Sequence, residues 1–123
     1  MYLLNVRSHF SAAHRLDGYN GACRNLHGHN WTVRVCIACE TTDDIGLAVD
    51  FKVIKASFHA LLDELDHTLL NDLPYFADRN PTSENIARYL YDEMTHRFSH
   101  EGCHITEIEV WESENSSVIY RRP

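Results

Sequence analysis

From His27 to Cys39 the sequence alternates in polarity with a period of two, and this run constrains the fold more than any other feature of the chain. Trp31, Val33, Val35, Ile37 and Cys39 share one parity, while Thr32, Arg34, Cys36 and Ala38 share the other. A segment of this kind is a strand with one face in a core. A looser alternation over 2–10, with Tyr2, Leu4, Val6 and Phe10 on one parity, predicts an earlier strand. Between them Asp17-Gly18, Asn20-Gly21 and Cys23 form a loop by composition, and Thr41-Thr42-Asp43-Asp44 with Gly46 ends the long run.

The middle of the chain changes period. Asp50 is an N-cap for a helix over 51–65, where Ile54, Phe58, Leu61, Leu62 and Leu65 keep the three-four spacing. Asn71-Asp72-Leu73-Pro74 and Asn80-Pro81 bracket a connector. A second helix starts at Thr82-Ser83-Glu84, carries Ile86, Ala87, Leu90, Tyr91, Met94 and Phe98 along its stripe, and is closed by Gly102. Residues 103–112 and 117–122 return to strand around Ser113-Glu114-Asn115-Ser116. The order strand, strand, helix, helix, strand, strand predicts an α+β fold, an antiparallel sheet with two helices on one face. Four strands leave two open edges, so closure through neighbouring subunits, and hence a homo-oligomer, is expected.

With 123 residues, 44% of them hydrophobic, the chain suits a single domain over 1–123. A net charge of −7 argues against a nucleic-acid partner. It leaves room for an anionic small molecule, because a few arginines dominate a pocket locally. No apolar run reaches the roughly 20 residues a membrane span needs, and the N-terminus does not read as a signal peptide. Four cysteines without any sign of secretion are expected to be reduced in a cytoplasmic protein. Cys36 and Cys39 face opposite sides of a strand and read as packing residues. His59, His96, His100 and His104 read as surface residues.

Nine histidines in so short a chain are the first hint of chemistry. His27 and His29 lie two apart on a strand, so both imidazoles leave one face, their Cα atoms roughly 6.5–7 Å apart. Antiparallel pairing brings His14, at the end of the first strand, beside the start of the second. Three imidazoles without an obvious fourth ligand describe an open zinc site. Cys23, four residues before His27 in a loop, offers a rival arrangement in which it is the fourth ligand and the site is structural. Gly28 leaves the opposite face bare, which would let another chain or helix pack closely.

Six ordered motifs then resemble a known family across essentially the whole chain. They are Phe10-Ser11-Ala12-Ala13-His14, Cys23-Arg24-Asn25-Leu26-His27-Gly28-His29-Asn30, Asp50-Phe51 with Lys55, Leu65-Asp66-His67, Pro81-Thr82-Ser83-Glu84-Asn85, and Val110-Trp111-Glu112. Together they resemble the 6-pyruvoyltetrahydropterin synthase and 6-carboxytetrahydropterin synthase family. The resemblance implies a tunnelling fold (T-fold) assembled around a barrel as a homohexamer, a dimer of trimers. It implies zinc on His14, His27 and His29, a catalytic Cys23 relayed through Asp66 and His67, and a pterin ring held by Glu112 with Thr82 and Ser83. The implied substrate is 7,8-dihydroneopterin triphosphate.

These implied roles agree with elementary chemistry. A thiolate with a lowered pKa is a competent base. Zinc can bind side-chain oxygens and stabilise an enolate. A carboxylate can accept two parallel hydrogen bonds from an amino-pyrimidine edge. Glu112 shares parity with Ile108 and Val110, so it points to the apolar face, where a charge needs a reason. The bland readings are an ordinary helix-end pair for Asp66-His67 and an N-cap for Thr82 or Ser83.

Within the family, the intact Cys-x-x-x-His-Gly-His and the compact length resemble the bacterial carboxy type, a carbon–carbon lyase on the route to queuosine. The alternatives are the pyruvoyl type, a non-catalytic zinc- or pterin-binding domain, and a zinc hydrolase related to cyclohydrolases. Arg15, Arg24 and Lys55 are candidates for the triphosphate.

Overall fold

The structure, a computed structural model, describes residues 1–18 and 25–123. Strand β1 (Tyr2–His14) pairs antiparallel with β2 (His27–Cys39), which pairs antiparallel with β4 (Cys103–Ser113), which pairs with β5 (Ser116–Tyr120). Helix α1 (Phe51–Asp63) and helix α2 (Ser83–Arg97) fall between β2 and β4 in the chain. The α+β order read from periodicity is therefore the order observed.

Two details differ. A two-residue strand, β3 (Thr68–Leu69), pairs parallel with Ala12 and Ala13 of β1, so the sheet has five strands in the order β3-β1-β2-β4-β5. Two residues are too few to show a period. Strand β1 also runs past Phe10 to His14, because Ala12 and His14 continue the buried parity of Val6 and Phe10.

The core lies between the helices and one sheet face. Val6, Phe10, Trp31, Val33, Val35, Ile37, Ile108 and Val110 meet Ile54, Phe58, Leu61, Leu62, Ile86, Leu90 and Met94. Each large side chain buried here is worth about 1.5–3 kcal/mol relative to exposure. A shift of register between Cys36 and Ile37 resets the parity of β4, so Ile105 and Ile108 both reach the core. The other sheet face is polar at its centre, where the Arg34 guanidinium bonds the carboxylates of Glu107 and Glu109 and the amide oxygen of Asn5.

Local chemistry sets the helix starts. The Asp50 carboxylate accepts from Lys52 N at 2.9 Å, and the Thr82 hydroxyl accepts from Asn85 N at 3.1 Å. The ends are less legible: α1 stops at Asp63, and α2 stops at Arg97, well before Gly102. Gly102, at φ 73°, instead turns the chain into β4.

The cysteines correct the sequence reading. Cys39 and Cys103 are opposite each other in the β2–β4 register and are joined by a disulfide, so the expected reduced state does not hold for this pair. Spacing along the chain could not show it, since 64 residues separate the two. Cys36 is a buried free thiol, as its packing role required. His59, His96, His100 and His104 are exposed, as expected. Among the described residues, no helix is long and apolar enough to cross a membrane.

Candidate metal centre

At one end of the sheet the β1–β2 register sets His14 directly opposite His27 and Ala12 opposite His29. His27 and His29 continue the core-facing parity of Trp31, so all three imidazoles turn toward the helix side. Trp31 floors the cluster, with its ring 5.0 Å from that of His14 and 5.2 Å from that of His29, edge to face. Among the described residues nothing presses on Gly28, where an added Cβ would meet only the Ala12 carbonyl at 4.0 Å.

Hydrogen bonds assign the imidazole tautomers. His14 Nδ1 donates to the Pro81 carbonyl at 2.8 Å, and His27 Nδ1 donates to the Asn25 carbonyl at 2.7 Å. A carbonyl only accepts, so each ring carries a proton on Nδ1, and in the neutral form its lone pair is on Nε2. The two Nε2 atoms face each other at 3.0 Å. Two lone pairs at that separation repel unless a cation lies between them. His29 Nε2 is buried and has no hydrogen-bond partner among the described residues. It lies 3.0 Å from Glu112 Oε1 but is not aligned for a hydrogen bond.

Burial pushes the pKa of His14 down, against a raising contribution from its bond to Pro81. Burial likewise pushes His29 down, against the attraction of Glu112. Both rings are thus held neutral, the form that binds a metal. His14, His27, His29 and Glu112 place ligand atoms all within 4.8 Å of one another. Unpaired inward nitrogens, proton-fixing carbonyls behind two of them and a carboxylate alongside suit a metal cation.

The sequence reading assigned Glu112 to the pterin ring and three imidazoles to the metal; the structure sets Glu112 in the same group as the imidazoles. The β2–β4 register pairs Thr32 with Trp111, so Glu112 emerges on the core parity beside the imidazoles. Its other oxygen, Oε2, accepts from the Ser83 hydroxyl at 3.3 Å. Ser83, the first residue of α2, is buried, whereas the Thr82 hydroxyl is committed to capping the helix. Ser83 and Glu112 are brought together with the histidines, and Thr82 lies next to them.

Asp66 and His67 stand elsewhere. The Asp66 carboxylate accepts from His67 Nδ1 at 2.8 Å and from Ser11 N at 2.8 Å, while His67 N donates to Ser11 O at 2.6 Å. The Ser11 bond, then His67, pulls the Asp66 pKa below its ordinary value. His67 holds a left-handed backbone, φ 58°, and its ring is 83% exposed. The pair is ordered, yet neither member belongs to the group around His14. Cys23 and Arg24 lie outside the described residues. Arg15 follows the metal cluster directly and contacts Asp17 at 3.4 Å, and Lys55 is exposed on α1. Sequence reasoning missed the Pro81 and Asn25 carbonyls, since a backbone acceptor leaves no signature in residue type.

Fold and donor set define a class of protein, an α+β chain able to hold a cation at the end of its sheet. Comparison with known proteins narrows it. Residues 3–123 match the family model described as 6-pyruvoyl tetrahydropterin synthase. A 6-carboxy-5,6,7,8-tetrahydropterin synthase of Rickettsia bellii is 32% identical over 130 residues, covering 91% of this chain and 94% of the relative. One from a Synechocystis species is 34% identical over 128 residues, covering 100% and 95%. The structure of Caenorhabditis elegans 6-pyruvoyl tetrahydropterin synthase superposes with a TM-score of 0.89 at 26% identity, covering 99% and 96%. The chain belongs to the 6-pyruvoyl tetrahydropterin synthase family, and its fold is that family's tunnelling fold.

Proposed function

We propose that the chain is a zinc-dependent lyase that converts 7,8-dihydroneopterin triphosphate to 6-carboxy-5,6,7,8-tetrahydropterin, releasing acetaldehyde and triphosphate, for queuosine biosynthesis in the cytoplasm. The observation that carries this reading is the convergence of three imidazoles beside a carboxylate, in a chain whose relatives at 30–40% identity include several named for that product. The whole of 1–123 acts as one catalytic domain.

Zinc is the cation that best suits three nitrogen donors with a nearby oxygen. Held by His14, His27 and His29, it would supply Lewis acidity toward the substrate's side-chain oxygens. The protein's own groups do the rest. Cys23, four residues before His27, serves as the base that takes the side-chain proton. The Asp66 carboxylate bonded to His67 Nδ1 fixes that ring's tautomer, leaving Nε2 to exchange a proton with substrate. Glu112 binds the amino-pyrimidine edge of the ring, leaving its bond to Ser83 in place, and Thr82 marks the turn beneath. Arg15, Arg24 and Lys55 are the cations proposed for the triphosphate.

Within one chain the Asp66–His67 pair sits apart from the imidazole cluster, which supports its serving the site of an adjoining copy. Among the described residues, β5 and most of β1 pair on one side only, which supports a homohexamer closed into barrels through those edges.

Zinc-loaded protein should convert 7,8-dihydroneopterin triphosphate with acetaldehyde among the products, read by mass spectrometry. Triphosphate release without acetaldehyde would favour the pyruvoyl reaction, the name carried by the Caenorhabditis elegans structure. No conversion by protein holding zinc would overturn the lyase reading and leave a binding domain.

A further inference from the structure

Beyond its last residue, His14, strand β1 is continued by side chains rather than by another strand. Strand β3 pairs Leu69 with Ala13. Two residues further along each segment, Asn71 takes the place of a strand. Its Oδ1 accepts from Arg15 N at 3.0 Å, and its Nδ2 donates to Arg15 O at 3.0 Å. Two residues on again, Asn80 does the same for Asp17, accepting from its N at 3.0 Å and donating to its O at 2.8 Å.

The pattern is that of a ladder. Alternate residues of an extended chain turn N–H and C=O to the same side. A carboxamide offers one acceptor and one donor edge, so each asparagine satisfies both groups of one residue. The orientation of each amide is unambiguous, because an N–H must meet the oxygen and a carbonyl must meet the nitrogen.

Asn80 is itself held, since Asn85 Nδ2 donates to its carbonyl at 2.8 Å. The next residue, Pro81, supplies the carbonyl that fixes the His14 ring at 2.8 Å. One short stretch before α2 therefore grips a metal-ligand candidate by its ring and the chain three residues later by its backbone.

We propose that Asn71 and Asn80, with Asn85 behind Asn80, are positioning residues: their side-chain amides clamp Arg15 and Asp17 and so fix the path of the chain leaving His14. This rests on the reading of His14 as a metal ligand and of Cys23, further along the same loop in sequence, as the base. The clamp holds Arg15 and Asp17 in place beside His14 without touching substrate.

The test uses full-length protein carrying Asn71→Ala, Asn80→Ala or both, with Asn80→Asp as a same-shape control. Aspartate keeps the acceptor for Asp17 N but sets a second oxygen against Asp17 O. Amide hydrogen exchange at Arg15 and Asp17 should quicken by about tenfold or more in the matching variants, while Val35 in mid-sheet stays protected. The Asn80 variants should shift the visible absorption of bound cobalt(II) with one metal per chain retained. In zinc-loaded protein, kcat should fall by about ten- to a hundredfold with KM within about twofold, the cost of misplacement by a fraction of an ångström. Aspartate should behave like alanine.

Unchanged exchange at Arg15 and Asp17 would overturn the clamp. So would lost protection with kcat and the cobalt spectrum both unaltered, which is what a merely stabilising role produces. If unsubstituted zinc-loaded protein shows no turnover, the lyase reading fails, and exchange with the cobalt spectrum still decides the clamp.

Discussion

His14 is a strand residue made a candidate metal ligand by what lies behind it. Its Nδ1 proton is committed to Pro81, its ring is edge-on to Trp31, and it is 1% exposed. Replacing His14 or His29 with alanine should abolish stoichiometric zinc binding, read by metal analysis after gel filtration. Cys23→Ala should instead keep zinc while turnover is lost. Loss of the metal from the Cys23 variant would show that the thiol is a structural ligand. Protonation gives a second outcome. Burial places the His14 and His29 pKa values below the ordinary histidine value of about 6.5. Between those lowered values and about 6.5, the unfolded chain binds more protons than the folded one. In metal-free protein these groups therefore cost nothing above that window, and stability falls as pH drops through it. The urea midpoint of metal-free protein should decline as the pH falls below about 6.5, and less so with both histidines replaced by asparagine.

At the scale of elements, what was legible followed periodicity. The stripe Ile54, Phe58, Leu61 and Leu62 on α1, with Leu65 just past its end, is buried, and both predicted N-caps make their bonds. Thr82→Ala should cost about 1 kcal/mol of stability by denaturant titration. Strand β3 and the Cys39–Cys103 disulfide were not legible, because each depends on which segments lie side by side. The disulfide closes a loop across 64 residues. Its reduction, or Cys39→Ser, should lower stability by about 2–4 kcal/mol. An unchanged melting temperature under reductant would contradict this.

At the scale of the whole molecule, two placements point outward. The sheet face away from the helices carries Arg34, Glu107 and Glu109, which pair with one another rather than with a second layer of this chain. The Asp66–His67 pair is ordered by Ser11 away from the imidazoles. If the pair serves an adjoining copy, mixing inactive Cys23→Ala and His67→Ala chains through dissociation and reassembly should restore part of the activity. No recovery would place the pair in its own chain's site. Sedimentation equilibrium should report six chains of 14.3 kDa, and a monomer would contradict the barrel assembly.

Local spacing was enough for the α+β order, the core stripes, the helix starts and the shared face of His27 and His29, with His14 brought beside them by antiparallel pairing. Over such spacings backbone geometry fixes the direction of a side chain. Only the tertiary structure decided that Glu112 stands beside His29, that Pro81 and Asn25 fix the imidazole protons, and that Asp66–His67 lies apart from them. It alone decided that Asn71 and Asn80 extend β1. Those facts depend on strand register and on backbone carbonyls, and segments distant in sequence acquire a register only when they are packed together.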